Sequence, residues 1–215
     1  MPTGQPQTAH LAGSALVTRL ALLIAGTTAI GMGTALLLRA ELGMLPMDVL
    51  HVGIAEQLGL SVGGGIAVAQ AALLLLFVPL RVRIGPGTIA GLLLPALSAD
   101  LALAVLPAGA PVAARLLFLA TGGLLFCCGV ALYLSTQLGP MPRDGILTAF
   151  PRHHPHRLGA IRAGLDIAFL ALGGTLLVLN AVPVTDSVGL ATLVLAFASG
   201  PVIGALITML GRARE

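Results

Sequence analysis

The sequence predicts an all-α membrane protein: six transmembrane helices arranged as two inverted three-helix repeats, each with a short half-helix after its first span. Three observations carry that prediction. Six apolar runs are long enough to cross a bilayer, two stretches ninety-six residues apart share their punctuation, and arginine crowds one face of the resulting arrangement.

Hydrophobic residues make up 57% and charged residues 9% of the 215, too little polar surface for a water-soluble globule. The apolar runs fall at 18–38, 62–80, 84–106, 116–136, 160–180 and 188–210. Each approximates the ~20 residues a helix needs to cross hydrocarbon. Lipid offers no partner for a backbone N–H or C=O, so each span must satisfy its own, as a helix does. The first run exceeds the ~7–15 residues of a signal-peptide core, and Arg39-Ala40-Glu41 offers no cleavage site, so it is expected to be retained. Residues 1–14, with Gly4 and Pro6, read as a disordered cytoplasmic tail.

Arg19, Leu20, Leu23, Gly26, Gly33, Ala35, Leu36, Leu38, Leu42, Gly43, Pro46 and Asp48 recur as Arg115, Leu116, Leu119, Gly122, Gly129, Ala131, Leu132, Leu134, Leu138, Gly139, Pro142 and Asp144. Those are 12 identities in the 32 positions 19–50, without a gap. Leucine and alanine matches come cheaply in so apolar a chain; Arg, Gly, Pro and Asp in register do not. The register continues with Gly63 on Gly159 and Gln70 on Asp166, then lengthens, so that Gly87-Thr88 matches Ala191-Thr192. Repeats are therefore expected over 15–110 and 111–215, with Pro107–Pro111 as the hinge. Three spans per copy put the second copy into the membrane upside down, an architecture many secondary transporters use.

All eleven basic side chains are arginine. With six spans, Arg19, Arg81, Arg83, Arg143, Arg152, Arg157, Arg162, Arg212 and Arg214 lie toward one face and only Arg39 and Arg115 toward the other. Positive charge stays inside, so the sequence predicts a multi-pass protein of the bacterial plasma (inner) membrane with both termini cytoplasmic. Anionic lipid accounts for the net charge of +3, and no nucleic-acid partner is expected. Cys127 and Cys128 are adjacent on one helix, poorly placed for a bridge and suited to packing.

The link between first and second spans is long in both copies and carries Leu-Gly-x-x-Pro-x-Asp. Gly43 and Gly139 open the motif. Pro46 and Pro142 suit the first helical position, where a missing N–H costs nothing. Asp48 and Asp144 then face the positive end of the helix dipole, which stabilises by ~0.3–1 kcal/mol each. Residues 46–57 are too few to span, so a half-helix is expected in each copy, the two meeting at a polar centre.

The runs Gly31-Met-Gly-Thr-Ala-Leu, Leu42-Gly-Met-Leu-Pro-Met-Asp-Val-Leu, Gly87-Thr88 with Asp100, Gly139-Pro-Met-Pro-Arg-Asp-Gly145 and Gly200-Pro201 resemble the YczE/YyaS/YitT group of bacterial integral membrane proteins. The likeness covers roughly 15–210. The chain departs from the group's pattern at Met47, where tryptophan is usual, and at Asp166, where glutamate is. The resemblance implies a polytopic inner-membrane protein and supplies no settled activity or substrate.

Among candidate site residues Asp166 stands first. It lies about eight residues into the fifth span, ~12 Å deep at 1.5 Å per residue, where an ionisable group by default marks function. Its structural alternative is an ion pair with Arg162, one turn away. Gln70 is its repeat partner, and Asp100 lies late in the third span. Asp48 and Asp144 could be purely structural. Arg143 belongs to the second copy alone and could hold an anion. His153, His154 and His156 crowd one loop, but flanking arginines repel a cation, so a solvated basic loop is expected and no metal. Gly87-x-x-x-Gly91 and Gly200-x-x-x-Gly204 suit close helix packing, within the bundle or across a homodimer. Hydrolase, zinc-protease and phosphate-loop motifs are missing, so no enzyme and no cofactor are expected. The expected function is a small secondary transporter or carrier of a small-molecule or ion substrate, with a central site between the repeats. The alternative is a non-transporting scaffold or accessory subunit of another membrane or biosynthetic complex.

Overall fold

The computed structural model describes residues 6–149 and 155–212, and among them every regular element is a helix. In chain order these are α1 (Pro6–Ala40), α2 (Pro46–Leu58), α3 (Val62–Leu75), α4 (Phe77–Leu80), α5 (Pro86–Val105), α6 (Val112–Thr136), α7 (Pro142–Thr148), α8 (Pro155–Leu179) and α9 (Leu190–Arg212), with a 3₁₀ turn at Val184–Asp186. Six stretches are long and apolar enough to cross a membrane: Leu16–Ala40, Val62–Leu80, Pro86–Val105, Val112–Thr136, Gly159–Leu179 and Leu190–Leu210. The second comprises α3 and α4, which break at Leu76 because Pro79 has no N–H for the carbonyl four residues back. α1 is helical back to Pro6, where the sequence suggested a tail. Thr8 to Ala12 contain neither glycine nor proline, so nothing local stops the helix before Pro6.

The outward faces are apolar. Leu75, Val78, Leu101, Val105, Leu190 and Phe197 are all exposed. In water so much continuous apolar surface would aggregate; here it contacts the lipid bilayer.

At the centre α1 packs on α6, with α5 beside α1 and α9 beside α6. Glycines let the two central backbones touch. A Cβ on Gly26 would lie 2.7 Å from the carbonyl oxygen of Gly129, and one on Gly33 would lie 2.9 Å from that of Gly122. Gly26 meets Gly129 while Gly33 meets Gly122, so α1 and α6 run antiparallel at this crossing. The ninety-six-residue offset carries each of these contacts onto the other. Other partners exchange likewise: α2 lies on α8, and α7 lies on α3.

Of the two small-residue faces, Gly87 packs inside the chain on Gly139 and Gly91 on the Met141 side chain, while Gly204 has nothing within 4 Å. The largest buried apolar cluster, Leu37, Met44, Leu45, Val49, Val52 and Leu177, sits where α1, α2 and α8 meet. Arg115 ties the end of α1 down by donating to the Ala40 carbonyl at 2.7 Å.

Candidate functional site: a polar cavity between two half-helices

The turn into each half-helix is fixed by its sequence. Gly43 and Gly139 take φ of +114° and +112°, a region that disfavours any side chain. Leu45 and Met141 are extended, and Pro46 and Pro142 begin the helices. Each turn is clamped by the loop before a distant span. The Met44 N–H donates to the Ser187 carbonyl at 3.1 Å, and the Gly87 N–H donates to the Leu138 carbonyl at 2.9 Å. Thr88 adds a hydroxyl bond to the Pro140 carbonyl at 2.8 Å. The helices then seat against glycine. Gly173 of α8 receives the backbone of Val49 and Leu50, while Gly145 of α7 receives the buried ring of Phe77.

Between the half-helices lies a cavity of about 120 Å³. Its polar wall is Thr34, Asp48, His51, Gln70, Asp144 and two arginines, Arg143 and Arg162. Ile30, Ile66, Phe126 and Ile203 supply apolar wall. Asp48 is buried; the Thr34 hydroxyl lies 3.4 Å from both its oxygens, and His51 Nδ1 lies 3.2 Å from Oδ1. A ring nitrogen facing a carboxylate carries its proton, so in the neutral ring His51 Nε2 is an acceptor. That Nε2 and Gln70 Oε1 are buried and have no partner, on residues each 5% exposed. Buried polar atoms are seldom left unbonded, so two of them on residues lining one small cavity set it apart.

Across the cavity Asp144 accepts from the Tyr133 hydroxyl. Arg143 donates to Asp166 Oδ1 at 2.5 Å. Arg162 lines the same cavity, and among the described residues no carboxylate lies within 4.0 Å of it.

Four of the residues singled out in the sequence, Asp48, Gln70, Arg143 and Asp144, thus line one cavity. Asp166 reaches it only through Arg143 and faces a second hollow with Pro46, Arg162 and Thr192. The expected Asp166–Arg162 pair is replaced by Asp166–Arg143, because α7 brings a guanidinium closer than the turn-adjacent one. Asp100 stands elsewhere: it accepts from the Ser61 hydroxyl at 2.6 Å and the Gly63 N–H at 2.7 Å, capping α3. Thr34, His51 and Tyr133 went unnoticed in the sequence. A signal existed for one, since His51 follows Asp48 by three residues and so shares its face of α2. His153 and His154 lie outside the described residues, as does the side chain of His156. Among the described residues no three His, Cys, Asp or Glu side chains group as a metal site.

Residues 17–208 match the model of a family described as "Family of unknown function (DUF6198)". A Haemophilus influenzae protein named "Uncharacterized protein" is 29% identical over 193 residues, covering 90% of this chain and 85% of its own length. The Bacillus subtilis "Uncharacterized membrane protein YczE" is 27% identical over 158 residues, 72% of this chain and 73% of its own. That likeness agrees with the resemblance read from the motifs. No solved structure matches the chain.

Proposed function

The chain belongs to the family of unknown function DUF6198, and we propose that it is a small secondary transporter of the bacterial plasma membrane rather than an enzyme. One observation carries the proposal: the cavity between α2 and α7 draws its polar wall from both copies of the repeat and holds two buried, unbonded polar atoms. A scaffold gains nothing from such atoms, each of which costs ~1–3 kcal/mol of desolvation.

The contacts that exchange under the repeat offset support an inverted pair of three-span units. In such a pair, swapping the two units' conformations turns an inward-open site outward. The arginine bias supports both termini being cytoplasmic. Asp166 acts here through Arg143, holding that guanidinium against the cavity.

The test is a melting screen of the purified protein against metabolites and ions, followed by exchange of any hit across proteoliposomes. A compound that raises the melting temperature of the unaltered chain, fails to do so for Asp166→Asn, and crosses the liposome membrane supports the transporter. A scaffold or accessory subunit is the second reading, favoured by the open Gly204 face and exposed Phe197 of α9. Co-isolation of one stable partner, with no compound shifting the melt, would replace the transporter by that reading.

A further inference from the structure

We infer that the cavity is shaped for a small amino-acid-like zwitterion, its ammonium group held by Gln70 and His51 and its carboxylate by Arg162. The inference rests on reading the cavity as the transport site and names the class of substrate for it.

Hydrogen-bond sense comes first. Asp48 fixes the ring proton of His51 on Nδ1, so the buried Nε2 can only accept while the ring is neutral. Gln70 Oε1 is likewise an unused acceptor. Two unused acceptors on residues that line one small space call for a guest rich in donors. An ammonium group offers three N–H bonds and accepts none. The Asp48 carboxylate, directly behind His51, supplies the opposing charge.

Charge comes second. Asp166 is committed to Arg143 and Asp144 accepts from the Tyr133 hydroxyl, which leaves the Arg162 guanidinium on the cavity wall with no carboxylate within 4.0 Å among the described residues. A planar fork of donors is matched by a carboxylate, which it binds with two parallel bonds. A guest carrying both groups satisfies both ends and brings no net charge into a low-dielectric site, where an unpaired charge is costly.

Size comes last. A cavity of about 150 Å³ holds benzene, so about 120 Å³ accommodates roughly half a dozen non-hydrogen atoms. Alanine has that many. Its methyl group would meet the apolar wall of Ile30, Ile66 and Phe126.

The experiment is calorimetric titration of the purified protein in lipid nanodiscs with glycine, alanine and serine. Two relatives of alanine serve as controls: propionate, which lacks the amine, and ethylamine, which lacks the carboxylate. At least one of the three amino acids is expected to bind, and each control to bind at least about tenfold more weakly than the amino acid that binds best. Gln70→Glu, which offers acceptors alone, should retain binding; Gln70→Met and Arg162→Gln should each lose about tenfold or more. The analogue series uses the unaltered chain, so a misfolded variant leaves the answer intact. No binding by any of the three amino acids, or propionate or ethylamine binding as tightly as the amino acid that binds best, overturns the zwitterion. If the zwitterion fails while another compound exchanges across proteoliposomes, only the substrate class is lost. If an amino acid binds through Gln70 but never crosses, the site stands and the transporter falls.

Discussion

α2 and α7 enter the bundle through the same turn, a glycine at φ near +113°, an extended residue, a proline, and an aspartate two places on. Beyond that they part. α2 continues for 13 residues with Val49, His51 and Val52 buried, whereas α7 runs for 7 and carries Arg143 and Gly145. The seats differ: Gly173 receives the backbone of Val49 and Leu50, whereas Gly145, ninety-six residues from Val49, receives the side chain of Phe77. The charged lining differs: α2 presents the Asp48–His51 pair to the cavity, α7 presents Asp144 and an Arg143 that is paired with Asp166. The two half-helices share a backbone path and an aspartate on the cavity wall, while the residues around each aspartate differ. A symmetric frame holding an asymmetric lining can give one guest two distinct ends.

The largest effect is expected where bulk and gap meet. Phe77→Ala should cost ~3–5 kcal/mol as a buried aromatic truncation, and Gly145→Val ~1–3 kcal/mol by overpacking against the ring. The added valine would take up space the lost ring leaves, so the double variant should recover ~0.5–3 kcal/mol relative to the sum. Reversible unfolding in mixed micelles reads all four corners of the cycle. Strict additivity would mean that residue 145 and the ring do not share one space, against the contact between them.

Matched positions 70 and 166 provide the next test, with effects of opposite sign. Asp166→Asn strands Arg143, a side chain 18% exposed paired with one 15% exposed, and should cost up to ~3–5 kcal/mol. Gln70→Leu removes a buried oxygen that has no partner, so it should leave stability unchanged or raise it by about 1 kcal/mol. Melting curves of the two variants in the same detergent decide it. A Gln70→Leu protein as damaged as Asp166→Asn would mean that Gln70 braces the fold, and the vacancy beside it would lose its significance.

What the sequence made legible is what depends on near neighbours. The spans follow from run length, and the half-helix starts follow from Gly43, Pro46 and Asp48 because each acts within one turn of chain. Asp166 was recognisable as costly where it stands, but its partner was not. Arg162 is one turn away along the helix and Arg143 is 23 residues away, and only the packing of α7 beside α8 decides between them. Asp100 misled for the same reason. Its donors, Ser61 and Gly63, sit at the start of another span, so its capping role could not be read from its own helix. His51 was readable in principle from its spacing to Asp48, yet nothing local announces that its second nitrogen would be left unbonded.

The smallest contrast should come from the entry turns, and it separates backbone strain from crowding. Any side chain at Gly43 or Gly139 meets an unfavourable φ, which costs of order 1–3 kcal/mol. At Gly139 the nearest atom to an added Cβ is the Gly85 Cα at 3.1 Å, a contact a slight shift relieves. At Gly43 the added atom would lie 2.7 Å from the Thr192 hydroxyl and 2.8 Å from the Gly189 nitrogen. Gly43→Ala should therefore destabilise more than Gly139→Ala, by about 1 kcal/mol, within the range for overpacked sites. Adding Thr192→Ala should narrow that gap, because the obstructing hydroxyl leaves while the Gly43 backbone angle stays as it was. Equal melting temperatures for the two glycine variants would show that strain alone governs both turns and that the clamp around Gly43 is looser than its contacts suggest.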